Sequence, residues 1–272
     1  MCPYLHVFGF DLPTYGLMML LGIAVAFGIV ILRSGLNGFP RSEALLAALI
    51  CIAGGIAGSV LIRPIIRLPE VIIHWEMYSK VPLEDFLPWF FGELVFYGGL
   101  IGGALALIIY CRSFKMPLLR IVDIFTPALP VGHAFGRIGC LLAGCCYGIG
   151  VPAENPLAII YPRRTDGLEA LVAPAGTPLL ALPLIEACGN ILIACVIMLF
   201  QRKSKTEGLG LSVYGILYGA FRFTLEFYRG DQLRGVYGGI STSQIISMVI
   251  FAVSVLWFVY ISRKSKSLKS ES

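Results

Sequence analysis

Seven apolar segments recur along this chain of 272 residues, at about 12–32, 43–62, 93–111, 118–136, 181–200, 208–226 and 241–261. Each approaches the ~20 residues that a helix needs to cross a hydrocarbon core. In lipid every backbone N–H and C=O must be satisfied within the protein, so such segments span as helices. Composition agrees: 57% of residues are hydrophobic and 14% charged, where a soluble domain carries about 25% charged residues. The chain is therefore expected to be an all-α polytopic membrane protein with about seven transmembrane helices. The first run is too long, and its flank too poor in basic residues, for a cleaved signal peptide. Pro127 and Pro130 interrupt the fourth segment, and Pro174, Pro178 and Pro183 precede or open the fifth. No repeat or low-complexity block is present. Residues 1–272 read as a single membrane domain, with outer caps at about 63–92 and 137–180.

Orientation follows from the basic residues in the connections. With seven spans, Arg33 and Arg41, Arg112 and Lys115, Arg202, Lys203 and Lys205, and Arg263, Lys264, Lys266 and Lys269 all fall on one side, in short segments. The opposite segments are longer and sparser in Arg and Lys. This predicts an N-terminus outside and a C-terminus in the cytoplasm. The formal net charge of +5 is largely this bias, and it gives no support for nucleic-acid binding.

Against that background a few polar residues stand out. In HAFGRIGCLLAGCCYG (His133–Gly148) an arginine, Arg137, follows an apolar segment. An ionisable residue so placed is costly and faces a cavity, a partner or a ligand. The end of the sixth segment, YGAFRFTLEFYRGDQLRG, carries Arg222, Glu226, Arg229, Asp231 and Arg234. Arg222 and Glu226 are four apart and Glu226 and Arg229 three apart, which places all three on one helical face. The plain reading is a self-neutralising ladder at a helix end. The sharper one is a net positive cluster at the outer face, where guanidinium forks match the oxygens of a lipid phosphate. Tyr15-Gly16 opens the first span, and Tyr97 precedes Gly98-Gly99 with Glu93 one turn earlier. Tyr97 is either an interfacial anchor or a hydroxyl facing a cleft. His133 shares a face with Arg137; it is either a packed core histidine or a general base.

Cys51, Cys111, Cys188 and Cys195 lie in or beside apolar spans and read as packing residues; Cys2 stands near the N-terminus. Cys140, Cys145 and Cys146 admit more. A metal site would want further N or S ligands, and no CxxC pair or nearby His set is present. A disulfide needs a bend between Cys140 and Cys145. A nucleophilic or acyl-carrying thiol needs an electropositive setting, which Arg137 supplies. Packing is the reading preferred here.

Taken together, these motifs resemble those of the prolipoprotein diacylglyceryl transferase family. YGLM at Tyr15–Met18, YGGLIG at Tyr97–Gly102, GRIG at Gly136–Gly139 with Gly144 and Tyr147-Gly148, Glu186-Ala187, and FRFTLEFYR at Phe221–Arg229 carry the resemblance. The chain departs from the family pattern at four positions, one of them the apolar Ile56, which stands for an arginine near the end of the second span. Tyr97 stands for a histidine, Cys140 for an asparagine and Cys145 for a glutamate, which marks a divergent, cysteine-rich branch.

The resemblance implies transfer of diacylglyceryl from phosphatidylglycerol to the lipobox cysteine of a preprolipoprotein, at the outer face of the bacterial cell membrane. It implies membrane lipids as surroundings and no metal or organic cofactor. By the same token Arg137 and Arg222 hold the phosphate, Glu226 orients Arg222, and His133 or Tyr97 is the base, unless the site ionises the substrate thiol unaided. Tyr15, Gly98, Gly99, Gly148 and Arg229 join Arg137 in substrate binding. Glycine-rich faces (Gly54, Gly55, Gly58; Gly98, Gly99, Gly102, Gly103) leave room for acyl chains. The alternatives are a lipid binder that has lost the transfer step and a transferase with another donor or acceptor, for which a cysteine intermediate is conceivable.

Overall fold

The computed structural model describes residues 4–7, 10–92, 95–162, 173–204, 206–231, 236–237 and 240–270. The expected Glu93 contact and Arg234 lie outside these residues, as do Cys2 and the side chain of Tyr97. The chain forms two compact units, one of residues 1–29 with 122–272 and one of residues 30–121.

In chain order a hairpin of β1 (Tyr4–Val7) and β2 (Phe10–Pro13) leads into α1 (Thr14–Leu36) and α2 (Arg41–Ile73). Then follow α3 (Trp75–Tyr78), α4 (Leu83–Phe91), α5 (Phe96–Ser113), α6 (Leu118–Phe125) and α7 (Ala128–Ala143). Strands β3 (Ala158–Ile160) and β4 (Pro178–Leu180) precede α8 (Leu182–Lys203) and α9 (Leu209–Glu226). The hairpin β5 (Val236–Tyr237) and β6 (Ile240–Ser241) opens α10 (Thr242–Ser270). The three strand pairs are antiparallel.

The protein is thus mostly helical, and among the described residues five stretches are long and apolar enough to cross a membrane: Thr14–Leu36, Arg41–Ile73, Leu118–Ala143, Leu182–Lys203 and Thr242–Ser265. A shorter apolar helix covers Gly98–Ser113. In the first, second and fifth of these stretches only 11% of the most apolar window is buried inside the protein. Apolar surface on that scale needs lipid against it.

Several boundaries differ from expectation. α2 runs on through Pro64 and Pro69 to Ile73, into the segment assigned to a cap. The fourth apolar segment divides at Pro127, the N-cap of α7, and α7 continues to Ala143, so Arg137 lies inside a helix rather than beyond one. What stops α7 is Gly144 in the left-handed region (φ 79°), a conformation that costs an L side chain 1–2 kcal/mol. α9 ends at Glu226, so Arg229 is not on the helical face predicted for it.

In the unit of residues 30–121, α2 and α5 meet backbone to backbone. A Cβ on Gly58 would collide with the Gly98 carbonyl, and one on Gly102 with the Gly54 carbonyl. The space at this seam is filled, so the glycines serve close helix packing and leave no room between these helices for an acyl chain. The Tyr110 hydroxyl donates to Glu43 at 2.9 Å, and Arg63 Nε donates to the Trp89 carbonyl at 3.1 Å. In the other unit, α8 packs on α7 and α9, and α9 on α10. Asp123 accepts from the Gly208 and Gly210 N–H groups at 2.6 and 3.0 Å, satisfying orphan donors at the start of α9.

Candidate active site

The site is built from one carboxylate and what the chain brings to it. Glu186 sits in the second turn of α8, in a run of apolar residues, and is 2% exposed. Three guanidinium groups from two other segments converge on it. Arg137 Nε of α7 lies 2.5 Å from Glu186 Oε2. Arg222 Nη1 of α9 and Arg229 Nη1 beyond it each lie 3.6 Å from Glu186 Oε1. A charge cannot be buried at this depth without partners, and only tertiary packing supplies them.

The predicted Arg222–Glu226 pair is present at 2.6 Å. Arg229 instead chelates Asp231 in bidentate fashion, with bonds of 2.8 and 2.7 Å. A β-bridge to Gly148 draws its backbone toward the segment after α7. Three arginines therefore meet three carboxylates among the described residues, and the cluster is balanced rather than net positive. Exposure separates the arginines: the Arg137 side chain is 16% exposed, against 8% for Arg222 and 3% for Arg229. Arg137 is the one an incoming group reaches first.

Glu226 is tied down from its other side. The Ser241 hydroxyl donates to Glu226 Oε1 at 2.7 Å and accepts from the Gln244 N–H at 3.1 Å. The Gln244 side chain accepts in turn from the Ser241 N–H at 3.0 Å. This is the capping box of α10, and it fixes the carboxylate that holds Arg222.

Of the other expected residues, Tyr15 packs against Gly139, where a Cβ would lie 3.0 Å from its ring, within electrostatic range of Arg137 and the three cysteines. His133 stacks on Tyr218 (centroids 5.3 Å apart), which stacks on Tyr214, and Arg137 and Arg222 act on its ring through space. Gly148 sits where a Cβ would lie 2.7 Å from Leu180 Cβ and 3.0 Å from the Tyr228 carbonyl, so close backbone approach explains it. Gly98 and Gly99 belong to the α2–α5 seam.

The sulfurs of Cys140, Cys145 and Cys146 all lie within 4.8 Å of one another, and the seven described cysteines are free thiols. Hydrogen bonds from the Cys140 and Cys145 thiols, then the positive charge of Arg137 and Arg229, hold the Cys146 thiol well below its ordinary pKa. Tyr161, buried above Gly144, is pushed up to about 12, chiefly by desolvation.

Sequence reasoning singled out neither Glu186, Asp231 nor Ser241 as a site residue. The signal for Glu186 was available: an acid inside an apolar span, with no base three or four residues away on its own helix. Ser241-Thr242-Ser243-Gln244 is likewise a legible capping box.

Fold and site together define a polytopic membrane protein with a buried arginine–carboxylate cluster at one set of helix ends. The sequence matches the prolipoprotein diacylglyceryl transferase family over residues 3–260, and the chain belongs to that family. It is 32% identical over 253 residues to the phosphatidylglycerol–prolipoprotein diacylglyceryl transferase of Clostridium tetani, covering 93% of this chain and 94% of that one. It is similarly 32% identical to transferase 2 of Clostridium perfringens, and 29% identical over 266 residues to the transferase of Finegoldia magna, covering 97% and 96%.

Proposed function

We propose that this chain moves diacylglyceryl from phosphatidylglycerol to the lipobox cysteine of a preprolipoprotein. The observation that carries the reading is Arg137, held at Nε by Glu186, partly exposed, and backed by two further buried guanidinium groups. Arg137 takes the headgroup phosphate first. Arg222 and Arg229 reach Glu186 with Nη1 only at 3.6 Å, beyond hydrogen-bond distance. An incoming phosphate oxygen is the better acceptor for those donors. Preorganised cations in a desolvated site then stabilise the charge that builds on the leaving glycerol phosphate. Glu226 and Asp231 hold Arg222 and Arg229 in place. Tyr15 borders the site, and His133 and Tyr97 are the candidate bases.

Basic loops and apolar helices support a multi-pass protein of about seven spans in the bacterial plasma membrane, with the C-terminus in the cytoplasm and the site toward the outer face. Residues 1–272 act on this reading as a single membrane domain. Charge balance in the cluster favours a second reading, a family member that binds lipid without transferring it. A transfer assay separates the two. Membranes containing the protein, phosphatidylglycerol and a lipobox peptide should yield peptide heavier by one diacylglyceryl group. Absence of product beside an active family member would refute the function, and lipid capture without product would establish the binder.

A further inference from the structure

Three thiols, Cys140, Cys145 and Cys146, stand within seven residues where α7 ends. The backbone is folded to collect them. Cys140 opens the last turn of α7, and its carbonyl accepts from both Gly144 and Cys145 N–H at 3.0 and 3.1 Å. Gly144 reverses the chain at φ 79°, and Cys146 itself holds φ 59°, a region that non-glycine residues rarely adopt and that clusters at functional sites. The outcome is three sulfurs mutually within 4.8 Å. Around a tetrahedral zinc ion with Zn–S of ~2.3 Å the sulfurs stand about 3.8 Å apart, so closure asks for shifts of about 1 Å or less.

The surroundings suit such an ion. Arg137 and Arg229 both lie within electrostatic range of Cys146. Three thiolates and a divalent cation carry one net negative charge, and the two guanidinium groups would flank it from outside the ligand set. The Tyr161 hydroxyl is buried with no hydrogen-bond partner among the described residues, and the same three cysteines lie within electrostatic range of it.

We propose that Cys140, Cys145 and Cys146 bind one thiophilic divalent cation of the zinc class, leaving its fourth position for the thiol of the acceptor peptide. The second half rests on the transfer reading above. A thiol bound to zinc is held as thiolate, so the acceptor proton passes to water and no side-chain base is needed. The acceptor sulfur then forms its bond to the glycerol carbon as the carbon–oxygen bond to phosphate breaks. That electron pair departs with glycerol phosphate toward Arg137. Nothing is oxidised or reduced, and the thioether product is a poorer ligand than the thiolate it replaces.

The test uses the full chain in detergent micelles, stripped by a chelator under reducing conditions and reloaded with zinc or cobalt(II). One zinc per chain by elemental mass spectrometry is expected, with intense sulfur-to-cobalt charge-transfer absorption in the cobalt form. Cys145→Ser and Cys146→Ser should lose both signals, and Cys188→Ser should keep them. No zinc retained by the reloaded unmutated chain overturns the site, and that measurement needs no mutant to fold. A lipobox peptide should change the cobalt spectrum without any lipid present, and its serine analogue should not. No difference between the two peptides overturns the open position. In membranes, stripping should slow transfer at least about tenfold, with zinc restoring it. Full transfer by the metal-free protein overturns the inference and leaves the transferase reading standing. Zinc binding and the peptide response without transfer would sustain the metal site and remove the transferase reading.

Discussion

Glu186 is the residue on which the buried charges depend. Replacing it by alanine leaves Arg137 without its 2.5 Å partner. Breaking a buried pair in this way costs about 3–5 kcal/mol, so Glu186→Ala should unfold at markedly lower temperature in detergent than Glu226→Gln, as thermal denaturation would show. The arginines should report differently. Arg137→Ala and Arg222→Ala should each lower transfer by about 100-fold or more, the loss typical of removing a preorganised donor. Arg137→Lys should recover little, because a single ammonium cannot hold Glu186 and a phosphate as a guanidinium fork does. His133→Ala and Tyr97→Phe measured in the same assay decide the base: a variant at full rate removes that residue from the role.

Two turns and one seam set the geometry of the elements that carry these residues. Gly144→Ala forces a Cβ into the left-handed region at φ 79° and to 3.1 Å from the Tyr161 ring, a change expected to cost about 1–2 kcal/mol and to spread the three thiols. Ser241→Ala removes the α10 cap and the bond to Glu226 together. About 1 kcal/mol of stability should go with the cap, and transfer should fall as Arg222 loses its fixed partner. Ser241→Thr, which keeps the hydroxyl, should restore both. Gly58→Leu cannot be accommodated against the Gly98 carbonyl and should prise α2 from α5, detectable as faster proteolysis within residues 30–121.

For the protein as an entity in a bilayer, the prediction concerns sidedness. Reporter enzymes fused after residue 270 and into the segment between α7 and α8 should be active on opposite sides of the membrane, with the C-terminal fusion in the cytoplasm. Both on one side would overturn the orientation drawn from Arg33, Arg112, Arg202 and Arg263 and their neighbours. The charged cluster and the thiols all lie in the unit formed by residues 1–29 and 122–272, so variants there test the site without touching the α2–α5 seam.

Hydropathy made the membrane class legible, because it is local: each span is read from its own twenty residues or so. Spacing made Arg222–Glu226 legible for the same reason, since four residues along a helix is a fixed distance. Arg229 shows where that logic ends. Its three-residue spacing from Glu226 holds only if the helix continues, and α9 stops at Glu226, leaving Arg229 to Asp231 and the β-bridge with Gly148. Nor could spacing reveal that Arg137, Arg222 and Arg229 share one carboxylate 36 to 49 positions away in the chain, or that three cysteines with no familiar ligand pattern point at one another. Buried charges and thiols find partners by the packing of helices distant in sequence, and the cost of burying them alone makes those partners obligatory.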